Sequence, residues 1–138
     1  MEEWTGSSRI HPGPSTAASP DVSCADARAM ARDVLAGLEA PQEWVEDVLT
    51  VVSELVSNAH RHAGGVTGFE VAVRPGAVTV EVSDRSPLPP QSRPWNPEEP
   101  GSFGWRLVNQ LADTTDVRFH PGGKTITATF TPDRPRPS

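Results

Sequence analysis

The chain has 138 residues, enough for one domain, with a formal net charge of -6 and 36% hydrophobic residues. Lys and Arg form no cluster that would meet nucleic-acid phosphates, no apolar run reaches the roughly 18–20 residues that span a bilayer, and the acidic start Met1-Glu2-Glu3-Trp4 is no signal peptide. One cysteine, Cys24, leaves no intramolecular disulfide and fits a reducing compartment, so a cytoplasmic protein without nucleic-acid or membrane partners is expected.

The 15 prolines gather in the N-terminal stretch, around residues 87–100 and at the C-terminus. Residues 1–20 read as a flexible arm, with a short edge strand near residues 4–10. Ala27, Met30, Ala31, Val34, Leu35 and Leu38 recur at helical spacing and predict a helix over residues 24–38, capped by Asp21 or Ser23. A second helix starts near Pro41, where a missing N–H costs little, and runs to about His62 before Gly64-Gly65. Two strands at 67–74 and 77–84 follow, turned by Pro75-Gly76. Residues 85–101 form a long loop holding six prolines, a length that belongs to a lid or an insert. A short helix at 104–112 and a strand pair at 114–120 and 124–131 close the domain, and residues 132–138 form a flexible tail. This order predicts an α+β two-layer sandwich over residues 21–131, with helices on one face of a mostly antiparallel mixed sheet.

The stretch Val-Val-Ser-Glu-Leu-Val-Ser-Asn-Ala-His-Arg-His-Ala at 51–63 carries the chemistry. Glu54, Asn58 and Arg61 stand at i, i+4 and i+7, so a carboxylate, a carboxamide and a cation share one face of an otherwise apolar helix. Such a set can hold a magnesium ion, orient a nucleophile and touch a phosphate, although a solvated stripe on an amphipathic helix looks alike. His60 and His62 diverge at i, i+2 and make a poor zinc site. Cys24 reads as a small apolar residue, Asp84 by itself as a strand-end turn residue, and Lys124 as a solvated charge at a strand start.

Taken in order, Glu54 to His62, Asp84 after the hairpin, the Gly104 helix ending Leu107-Val108, and Gly122-Gly123-Lys124-Thr125 resemble the GHKL ATPase superfamily. That is the Bergerat-type ATP-binding fold of gyrase B, heat-shock chaperones and histidine kinases. Within it, the phrases at 51–63, 82–90 and 121–125 look like those of the actinobacterial anti-sigma factor serine kinases. The resemblance implies ATP and Mg²⁺ as cofactors, with Asn58 as magnesium ligand and Glu54 as catalytic base. It places Arg61 and His62 near phosphate, and Asp84, with Ser86 and Thr125, around adenine. It sets Gly101, Ser102 and Gly104 at a helix N-terminus that favours phosphate. It also implies a sigma factor and an anti-sigma-factor antagonist as partners, and homodimerisation. Two departures stand out. Asp84-Arg85-Ser86-Pro87-Leu88 lacks both glycines of the family's first box, and Ser102-Phe103-Gly104-Trp105 keeps one glycine of the second. A non-catalytic module that senses ATP, or binds no nucleotide, is therefore the alternative to a kinase.

Overall fold

In the computed structural model, the described residues are 15–18, 21–90 and 104–132. Helix α1 spans Cys24–Leu35, and its N-cap is Ser23, whose hydroxyl accepts from the Asp26 N–H at 3.0 Å. Asp21, the other candidate cap, instead lies 3.3 Å from His60 Nδ1, while His60 Nε2 lies 2.8 Å from the Val22 carbonyl. The helix stops three residues short of Leu38, because the Leu38 N–H bonds to Leu35 O in a tight turn around Gly37. Helix α2, Gln42–His62, begins after Pro41, whose extended backbone (φ -61°, ψ 145°) lets the chain enter the first turn. Its apolar stripe Trp44, Val48, Val51, Val52, Leu55, Val56 and Ala59 is buried.

Strands β2 (Val66–Arg74) and β3 (Ala77–Asp84) form the expected hairpin. Helix α3, Gly104–Leu111, is followed by β4 (Thr114–His120) and β5 (Gly123–Phe130). Strand β1, Ser15–Ala18, pairs antiparallel with β2, so the stretch read as a flexible arm contributes an edge strand of the sheet. The strand expected near residues 4–10 lies outside the described residues. The sheet order is β1-β2-β3-β5-β4, and the mostly antiparallel sheet expected from the element order is antiparallel at every described pairing. Hairpin-length connections suffice for β2–β3 and β4–β5, and α3 with the segment before it carries the chain past β5's place to the far edge.

Side chains alternate across the sheet. Val78, Val80, Val82 and Asp84 of β3 face the helices with Lys124, Ile126, Ala128 and Phe130 of β5. The core closes between the layers where Phe130 meets Trp44 edge-to-face, with ring centroids 6.2 Å apart. No helix among the described residues is long and apolar enough to cross a membrane.

Candidate functional site

The apolar stripe of α2 turns towards the sheet, which leaves Glu54 and Asn58 half-buried at its border. The N-terminus of α3 packs on them there. A Cβ placed on Gly104 would sit 2.7 Å from Asn58 Nδ2, 2.9 Å from Glu54 Oε1 and 3.0 Å from Asn58 Oδ1. Glycine at 104 leaves that space to the two polar side chains, whose ends would have to swing aside for a larger residue. Among the described residues neither Glu54 nor Asn58 spends its side chain on a hydrogen bond, so two half-buried polar groups keep their binding capacity at a helix start. Burial pushes the Glu54 carboxyl above its ordinary range, and the Arg61 charge pulls it partly back. A carboxylate desolvated in this way is a stronger base than one in water. Arg61 and His62 are exposed on the last turn of α2.

Asp84 lies at the same end of the molecule. Only three residues separate His62 from Val66, and Val66 pairs with Asp84 across the β2–β3 ladder. Asp84 is 3% exposed, and its Oδ1 accepts from the Ser86 N–H at 2.8 Å. Ser86 Oγ in turn accepts from the Leu88 N–H at 3.1 Å. Two consecutive side-chain turns thus bend residues 84–88 without the glycines the family pattern places there.

Two expectations change. Lys124 is not a solvated charge: it is 5% exposed, and its Nζ donates to Asp84 Oδ1 at 3.0 Å. Thr125 does not join Asp84. It lies on the opposite face of the sheet, where its Oγ1 is 2.7 Å from Ser83 Oγ and 3.0 Å from His120 Nε2. The alternation of Ile126, Ala128 and Phe130 in β5 carried the signal, since it puts Lys124 inward and Thr125 outward. Gly123 fixes how closely β5 approaches. Its φ is +139°, and a Cβ there would fall 1.9 Å from the Asp84 carbonyl oxygen. The structure therefore brings together Glu54, Asn58 and Gly104 at one point and Asp84, Ser86 and Lys124 at another. Gly101 and Ser102 lie outside the described residues. Among the described residues no cluster of three His, Cys, Asp or Glu side chains forms a metal site.

These positions meet a known pattern. The model of the histidine kinase-like ATPase domain matches residues 16–130. The chain belongs to that family.

A search of curated proteins finds no significant match for this ATPase-family domain. Among solved structures, it resembles the RsbU and RsbW domains of a Mycobacterium tuberculosis protein, at 24% identity and TM-score 0.65. The match covers 91% of this chain and 34% of that one, so the domain spans about a third of the structure it resembles. The histidine kinase domain of a blue-light activated histidine kinase from Erythrobacter litoralis matches at 21% identity and TM-score 0.51, covering 92% of this chain and 69% of that one. Both likenesses establish the fold, a helical layer on an open antiparallel sheet.

Asn58 offers an amide oxygen beside the start of α3, a donor of the hard kind that magnesium takes together with phosphate and water, and the Glu54 carboxylate stands next to it. These groups are compatible with the nucleotide of an ATPase domain. The buried Asp84 carboxylate, at the end of β3, already carries an ammonium partner.

Proposed function

We propose that this domain binds Mg-ATP and is a protein serine kinase that also acts as an anti-sigma factor. In this reading it binds a sigma factor and phosphorylates a serine of that factor's antagonist, in the cytoplasm and as a homodimer. The observation that carries the proposal is the convergence of Glu54 and Asn58 on Gly104 at the start of α3. The family supplies the ATPase framework, and the actinobacterial phrases around residues 51–63, 82–90 and 121–125 supply the branch.

Each residue then has a task. Glu54, made more basic by burial, takes the proton of the serine hydroxyl. The serine oxygen forms its bond to the γ-phosphorus as the bond to the β–γ bridging oxygen breaks, and ADP leaves. Asn58 offers its amide oxygen to magnesium, which when bound neutralises phosphate charge. Arg61, exposed beside Glu54, offers a cation to the phosphates. Gly104 and, by the sequence pattern, Gly101 and Ser102 offer backbone N–H groups at a helix start. Asp84 accepts from the base, and Ser86 holds the Asp84 carboxylate in place. His62 flanks the phosphate side.

Thermal denaturation with and without Mg-ATP tests binding. Ligand at 100 times its dissociation constant stabilises by about 2.7 kcal/mol. No shift at millimolar Mg-ATP refutes the reading. Transfer of labelled phosphate from ATP to serine in a candidate antagonist tests catalysis: Glu54→Gln should abolish it while the thermal shift persists.

One observation favours a second reading, the non-catalytic regulator. Lys124 holds the carboxylate that the base would use. That module would bind its protein partner with no thermal response to nucleotide, or respond to ATP without transferring phosphate.

A further inference from the structure

The Asp84–Lys124 pair sets an acceptor and a donor side by side. The two residues stand directly opposite in the β3–β5 register, on the helix-covered face, 3% and 5% exposed. Oδ1 of Asp84 takes two donors, the Ser86 N–H and Lys124 Nζ. A carboxylate offers about four lone-pair sites and an ammonium three donors. Among the described residues Asp84 is the one acceptor Lys124 has, so its ammonium keeps donors to spare in a nearly dry position. A buried donor of that kind calls for an acceptor from a ligand or water.

A lone carboxylate discriminates between purines. It accepts from the exocyclic amine of adenine and repels the O6 carbonyl of guanine. An ammonium beside it removes that repulsion. With adenine, Asp84 accepts from the amine while Lys124 donates to the ring N1. With guanine, Asp84 accepts from the ring N1–H and exocyclic amine while Lys124 donates to O6. Both purine edges therefore find a donor and an acceptor.

We propose that Lys124 is a specificity-determining residue that opens the base pocket to guanine nucleotides as well as adenine nucleotides. This rests on the nucleotide reading of the site given above. A site whose buried groups stay unpaired with the wrong ligand rejects it by about 10⁴–10⁵. Lys124 abolishes that penalty.

Isothermal titration of the full chain with Mg-ADP and with Mg-GDP tests it. The expected result is two dissociation constants within about tenfold of each other, a gap far below that rejection factor. Lys124→Met removes the donor and should raise the GDP-to-ADP ratio at least about 100-fold. Lys124→Arg keeps a cation and should hold the ratio near that of the wild type. ADP binding with GDP more than about 100-fold weaker in the wild type overturns the proposal and leaves the ATP reading standing. Binding of neither nucleotide overturns both. Tighter ADP binding in Lys124→Met at an unchanged ratio would mean that Lys124 is a plug, which also overturns it. The wild-type ratio decides even where Lys124→Met does not fold.

Discussion

Gly104 is the residue that lets the start of α3 approach Glu54 and Asn58 closely. Gly104→Ala places a methyl 2.7 Å from Asn58 Nδ2 and 2.9 Å from Glu54 Oε1, so both side chains must move. Both are the ends of flexible, half-buried side chains, so the cost to stability falls at or below the low end of the about 1–3 kcal/mol of core overpacking. The larger effect falls on Mg-ATP, whose thermal shift should be lost in the variant while the apo protein still melts cooperatively. Glu54 adds a pH signature. Its carboxyl is raised above the ordinary range by burial, so the folded state holds that proton more tightly than the unfolded chain does. Stability from this group is present below the ordinary carboxylate pKa and declines as pH rises through the raised value. Glu54→Gln is neutral throughout and should gain on the wild type as pH climbs from 4 to 7 in urea titrations. A stability difference independent of pH would contradict the burial of this carboxylate.

At the scale of elements, the β3–β5 pairing is the joint that sets Asp84 opposite Lys124. Gly123 lets β5 pass within contact of the Asp84 carbonyl at a φ of +139°. Gly123→Ala combines a backbone clash with a strained conformation, and a loss of about 3 kcal/mol or more is expected in chemical denaturation. Gly37 is the control. A Cβ there meets nothing within 4 Å, so Gly37→Ala should change stability by no more than about 0.5 kcal/mol. The caps are smaller terms: Ser23→Ala removes the side-chain cap at the start of α1 and should cost about 1 kcal/mol.

At the scale of the molecule, one layer of helices covers one face of a five-stranded sheet, and the site sits along a single end of that sandwich. The layers are joined through Phe130, fully buried against Trp44. Phe130→Ala opens a cavity between α2 and β5 and should cost about 3–5 kcal/mol, read as a lower urea midpoint. Phe130 stands opposite Val78, at the far end of the β3–β5 ladder from Asp84 and Lys124, so any Mg-ATP shift should survive at temperatures where the variant remains folded. The arrangement explains how two distant sequence motifs cooperate. The short link from His62 to Val66 and the pairing of Val66 with Asp84 bring the end of α2 and the end of β3 to one edge of the domain.

The sequence by itself determined the local elements and the order of the motifs. Helical and alternating periods belong to neighbouring residues, so α2, the β2–β3 hairpin and the facing of Glu54 with Asn58 were legible without tertiary contacts. Tertiary structure decided which groups meet. That β1 lies at Ser15–Ala18 depends on a free edge of β2, which no local pattern announces. That Lys124 is buried depends on Asp84 standing opposite it from 40 positions away, since an ammonium leaves water there only with a carboxylate to receive it. Thr125 followed the pleat to the other face, because one step along a strand reverses the side chain.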